Sequence, residues 1–276
     1  MRLLLLATAL CACAQEPGEP IARWKQEIEA KGSGPIVIVR VIRDPAANTI
    51  TVAGDTPERE LVKQYLMQED VVRQLMAAHA LTVSHTEGDR VTNFILLNMD
   101  RAGEWQSEDA LLAHELGHVW LKSMGYPTPR YLPGPAACLS THTGNVVQHI
   151  LLREELDRRG IAFREGWVRD LQADLGALES KPPSSLPPCR RVQQTALWID
   201  ARLGLTRKDW PELPRYEKAL RQRFPDLAPS VDEISAYLRK KDVRDKAAHR
   251  EALVFVFDRL KQAATGQEAA GLSLRH

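Results

Sequence analysis

The chain has 276 residues, with Lys plus Arg at 37 and Asp plus Glu at 36, so its formal charge is +1. That balance argues against nucleic-acid binding, which is driven by a surplus of Lys and Arg. Charged residues at 26% and hydrophobic residues at 44% exclude a wholly disordered chain, and the length suits one large domain or two small ones.

Met1-Arg2 is a positively charged start, Leu3–Leu10 is a compact apolar run, and Ala12-Cys13-Ala14 has the small residues of a cleavage site. Residues 1–14 therefore read as a secretory signal peptide, with Gln15 as the mature N-terminus. The run is too short to span a bilayer, and no later segment approaches the roughly 20 apolar residues a span needs. The expectation is an exported protein, periplasmic or extracellular, with no transmembrane segment. Leu10-Cys11-Ala12-Cys13 is a loose match to a bacterial lipoprotein box, so a lipid anchor at Cys13 stands as the alternative. Cys138 and Cys189 remain after the leader, an even pair in a compartment that permits disulfides, and are expected to bond to each other.

Residues 15–34 are polar and hold Pro17, Pro20, Gly32 and Gly34; they read as a tail with one short helix over 21–30. The β-branched run 36–42 reads as a strand, residues 44–48 as a turn, and 49–52 as the returning strand of a hairpin. Thr56-Pro57 starts a helix, and Leu61, Tyr65, Val72 and Leu75 at helical spacing extend it, as one piece or a broken pair, over 57–80. Residues 91–99 form the next strand, which could take up an extended peptide if it lies at a sheet edge. Ser107 caps a helix running to Met124, with Glu108 and Asp109 in its first turn and Gly125 at its end. Residues 125–144 are rich in Pro and Gly and read as a long structured loop. Helices follow over 145–159 and 166–179. The Pro-rich run 181–189 reads as a linker, and helical patterns over 192–203, 212–224 and 230–262 complete a helical C-terminal region, 190–276.

The chemistry concentrates in Ala113-His114-Glu115-Leu116-Gly117-His118, an H-E-x-x-H motif on the helix after Ser107. Residues i and i+4 share a helix face, so His114 and His118 can aim ring nitrogens at one metal ion. Glu115 then sits beside the ion, where it can take a proton from a water whose pKa zinc lowers to about 7.

This segment resembles the zincin metallopeptidases, in which a small sheet precedes the H-E-x-x-H helix and a later helix supplies a third ligand. The resemblance covers residues 36–159, about half of the chain, and only the His114–His118 motif is specific. It implies an α+β fold: a mostly helical zincin-like catalytic domain, 15–180, with a small N-terminal sheet, followed by the helical C-terminal region. Metzincins carry Gly three and His six residues after the second His. Here those positions are Leu121 and Met124, so the pattern is gluzincin-like rather than metzincin. The third Zn2+ ligand is expected on the helix starting near Gly144. His149, set among Val146, Val147, Ile150, Leu151 and Leu152, is the first candidate, with Glu154 and Glu155 as alternatives. Tyr126, Tyr131 and His142, in the Pro/Gly loop, are candidates for stabilising an oxyanion, and Asn145 or Asp174 for orienting a ligand His. The expected function is an exported zinc-dependent hydrolase cleaving an amide bond in a peptide or protein substrate. The alternative is a non-catalytic exported binding or scaffold protein that retains a structural zinc site.

Overall fold

The strands are built from β-branched and apolar runs, and the helix that carries the H-E-x-x-H motif packs against them. The computed structural model describes residues 17–44, 49–53, 59–68, 71–72, 75–76, 78–102, 108–129, 136–180 and 185–265. The leader, Cys13, Ser107 and Tyr131 lie outside the described residues.

Helix α1 (Glu19–Ile28) runs into a π-helical turn (Glu29–Ser33) and then strand β1 (Ile36–Asp44). Strand β2 (Thr49–Ala53) returns antiparallel to it, with Val41 opposite Val52. Helix α2 (Arg59–Leu66) follows, and strands β3 (Ala80–Glu87) and β4 (Arg90–Asn98) form a hairpin turned at Gly88, whose positive φ of 56° favours glycine. The sheet order is β2-β1-β4-β3, with β1 and β4 parallel and the outer pairs antiparallel. A single turn, α3 (Met99–Ala102), precedes α4 (Glu108–Ser123), which carries the H-E-x-x-H motif. The remainder is helical: α5 (Ala137–Arg158), α6 (Arg164–Ser180), α7 (Pro188–Gly204), α8 (Leu213–Arg223), α9 (Ala228–Lys240) and α10 (Lys246–Thr265). The fold is thus α+β and mostly helical, with a small N-terminal sheet. No helix among the described residues is long and apolar enough to cross a membrane.

β4 is buried on both faces. Ile95 and Leu97 pack under α1, α4 and α5, while Phe94 and Leu96 pack with Val39, Val41, Val62 and Leu75 on the other side. Such a strand is interior, and its side chains are apolar on both faces for that reason. The expectation that residues 91–99 could lie at an edge is therefore corrected: β3 holds that position, beside α4.

Four further expectations change. The helical pattern expected over 57–80 gives way at residue 80 to a strand for which no element was expected, Ala80–Glu87, because Leu81, Val83 and their neighbours pair along β4. α1 is not part of a tail: Ile21, Trp24 and Ile28 are buried against α4, and the Gly18 amide donates to Asp109 Oδ1 at 3.1 Å. α5 begins at Ala137, so the expected loop of 125–144 yields its last eight residues to the helix. Gly144 sits inside α5 because Pro129 passes over it; a Cβ there would lie 3.3 Å from the proline ring. The single helix expected over 230–262 is two, α9 and α10, broken at residues 241–245.

Of the linker expected over 181–189, residues 181–184 lie outside the described residues. One apolar core joins Leu121 of α4 and Val146, Val147 and Leu151 of α5 to Trp198 and Ile199 of α7 and to residues of α8, α9 and α10. α7 already begins at Pro188, within the expected linker.

Candidate metal centre

α4 buries Leu111, Leu112, Ala113, Leu116 and Val119 against the sheet and α1, which fixes how the helix is rotated. With that face buried, the i/i+4 pair His114 and His118 faces α5. The two helices approach closely at Gly117: a Cβ there would sit 2.6 Å from Leu152 Cγ. That close approach brings His149 of α5 to the pair. The imidazole centroids of His114 and His149 are 4.7 Å apart, and those of His118 and His149 are 5.6 Å apart.

One ligand atom from each of His114, His118 and His149 lies within 4.8 Å of the others. The Nε2 atoms of His114 and His118 are 3.3 Å apart. Two nitrogens bound to zinc at 2.0–2.1 Å in a tetrahedral site stand about 3.3 Å apart, so the pair already has ligand spacing. Nε2 of His149 is buried with no hydrogen-bond partner, although its other nitrogen is bonded. A buried orphan acceptor of this kind calls for an occupant. The donor set therefore fits a divalent ion of imidazole preference such as Zn2+.

The opposite ring nitrogens are held by neighbours. His149 Nδ1 donates to Asp200 Oδ2 at 2.5 Å, and Arg153 Nη1 donates to Asp200 Oδ1 at 2.6 Å. His118 Nδ1 donates to Gln148 Oε1 at 3.0 Å, which leaves its Nε2 lone pair directed at the shared centre. Gly204 lets the buried Arg153 and Trp167 pass, since a Cβ there would lie 2.7 Å from Arg153 Nε.

Burial, followed by the charge of neighbouring histidines, holds His114 well below the usual imidazole range, and the same causes bring His118 down to about 4. Both rings are thus neutral near pH 7, the form that ligates metal. Burial pushes the Asp200 carboxyl up, but the adjacent His149 and Arg153 outweigh it and hold the group below the carboxylate range. Glu115 is buried as well. Burial raises its carboxyl, and the hydrogen bond that Thr82 Oγ1 donates to its Oε2 at 2.6 Å partly reverses the shift.

The structure separates the expected candidates. His149 joins His114 and His118, whereas Glu154 pairs with Arg244, and Glu155 with Arg158 and Arg159, away from the centre. His142 is on α5, not in a loop, and lies two turns before His149 on the same helix face. It does not belong to the three-histidine cluster. Tyr126 donates to the Arg244 carbonyl at 3.0 Å and so ties α4 to the segment before α10. Asp174 accepts from the Tyr216 hydroxyl at 2.7 Å. Cys138 and Cys189, the pair expected to bond, adjoin with no bond between their sulfurs in this structure.

Asp200, Gln148, Arg153 and Thr82 carried no sequence signal of their own. Asp200 follows an ordinary apolar run, Trp198-Ile199, and Thr82 lies in β3, which has no strand pattern clear enough to read locally. Comparison of the chain with protein families, characterised proteins and solved structures found no match.

Proposed function

We propose that the chain is an exported zinc-dependent hydrolase that cleaves an amide bond in a peptide or protein substrate. The observation that carries this reading is the half-buried convergence of His114, His118 and His149, with the buried Glu115 carboxylate on the same helix turn. Zinc at that centre would supply Lewis acidity, lowering the pKa of water to about 7 and polarising a carbonyl.

In this reading Glu115 moves the proton. It takes one from the attacking water and passes it to the departing amine. Its buried setting makes the carboxylate a better base than an exposed one, and the Thr82 hydroxyl keeps it ionised and aimed. Asp200 and Gln148 are positioning residues that fix the ring orientations of His149 and His118. β3 is the edge strand beside α4, the place where an extended peptide would add to the sheet next to Glu115. The resemblance to zincins supports the same assignment of roles.

The test is the zinc content of wild type and His149→Ala by elemental mass spectrometry, together with peptide-library hydrolysis by wild type and Glu115→Gln. The expected result is about one zinc per wild-type chain, loss in His149→Ala, and a Glu115→Gln chain that keeps zinc but not hydrolysis. Hydrolysis retained by Glu115→Gln would refute the role of the base. Zinc bound with no hydrolysis of any library peptide would favour the scaffold alternative.

A further inference from the structure

α5 and α7 pack side by side, and two contacts between them have the same spacing in sequence. His149 meets Asp200 across an offset of 51 residues. Cys138 meets Cys189 across the same offset, since 189 − 138 = 51. The helices therefore run parallel and in register, with the thiol pair 11 residues before the imidazole–carboxylate pair on each. That is three turns, about 16 Å along the axis. Between them His142 faces the same helix and feels the charge of Arg190 and Asp200.

We propose that Cys138 and Cys189 are a redox clamp: an intrachain disulfide that locks the register of α5 against α7, and with it the support that Asp200 lends to His149. The clamp makes the metal centre hold its ion more tightly in the oxidised chain than in the reduced one; this second clause rests on the metal-centre reading above.

The chemistry needs a disulfide oxidant, for which oxidised glutathione serves. Cys189 is exposed and half-buried Cys138 is not, so Cys189 attacks first. Its sulfur bonds to one glutathione sulfur, the glutathione S–S bond breaks, and one glutathione thiol leaves. Cys138 then attacks the Cys189 sulfur and releases the second glutathione. Two protein thiols become one disulfide, and two electrons and two protons end on two glutathione thiols. Burial, then the Cys189 sulfur, pushes the Cys138 thiol up, so this second step is slow at neutral pH and quickens as pH rises.

Disulfides that span two elements act by restricting the states those elements can visit. Here the restricted motion is a slide or splay of α7, which would take Asp200 Oδ2 off His149 Nδ1. Outer-shell carboxylates of this kind are worth about 10–100-fold in metal affinity.

The experiment uses the purified full chain, wild type and Cys189→Ser, equilibrated with oxidised or reduced glutathione. Alkylation under denaturing conditions and peptide mapping report the bond. Amide hydrogen exchange over residues 190–200 of the metal-free chain reports the register, and transfer of zinc to a chelator reports the centre. The expected result is a Cys138–Cys189 cross-linked peptide, about tenfold slower exchange and about tenfold slower zinc release in the oxidised wild type. Cys189→Ser should show none of the three. Absence of the bond, or a bond that leaves exchange unchanged, overturns the clamp. Unchanged zinc release with slowed exchange overturns its coupling to the metal. If zinc binds neither form, the metal reading fails, and the exchange data still decide the clamp.

Discussion

Asp200→Asn is the sharpest perturbation of the centre that leaves all three histidines in place. The wild-type carboxylate serves two donors at once, His149 Nδ1 at 2.5 Å and Arg153 Nη1 at 2.6 Å. An asparagine of the same shape has one acceptor oxygen, so its amide nitrogen must face one of those two donors. The half-starved donor is buried, whichever it is. If His149 loses its acceptor, its ring turns more freely and its Nε2 is a weaker ligand. The expected loss is about 10–100-fold in zinc affinity, or about 1.4–2.7 kcal/mol. If Arg153 loses its partner, the cost falls on folding instead, at about 3 kcal/mol for an uncompensated buried charge. Competition against a chromophoric chelator at pH 7 separates the first effect, and urea unfolding of the metal-free chain separates the second. A folded Asp200→Asn chain with wild-type zinc affinity and wild-type stability would refute the assignment of Asp200 as a positioning residue.

Other consequences can be measured directly. Thr82→Val removes the hydrogen bond that lowers the Glu115 carboxyl, so its pKa should rise further. The acid limb of the pH–rate profile would then move to higher pH, with an unmoved limb counting against Glu115 as the base. Gly117→Ala places a Cβ 2.6 Å from Leu152 Cγ, and pushing α4 off α5 should cost about 1–3 kcal/mol in urea unfolding and weaken zinc retention. Burial, then the charge of His149, lowers His142 from the ordinary 6.5 to about 4, so the unfolded chain takes up the proton first. Its stabilising effect is therefore complete above pH 6.5 and is lost as pH falls from 6.5 to 4, by about 3 kcal/mol. His142→Asn should flatten the urea midpoint of the metal-free chain over that window relative to wild type, and parallel curves would refute the assignment.

The H-E-x-x-H pair and its helix were legible because an i/i+4 spacing is a property of a single helix and needs nothing from the rest of the chain. The same holds for β1, β2, β4 and most C-terminal helices, whose apolar periodicities are local. His149 could be ranked first because it alone is a neutral metal ligand on an apolar stretch of its helix. Discarding Glu154 and Glu155 took the arginines that occupy them, and these come from α5 itself and from the turn before α10. β3 was missed because its residues are half-buried at a sheet edge, where partners on β4 rather than local pattern decide the strand.

The sequence by itself determined a composition that can build a core, an α+β order of elements, and a motif able to present two imidazoles on one face. Those follow from interactions spanning four residues or fewer. Only the tertiary structure decided which third residue meets them and what holds it there. Gly117 lets α5 approach α4, and the shared core seats α7 beside α5, so that a carboxylate 51 residues downstream lands on His149. No local pattern encodes such a contact, because it depends on how whole helices pack.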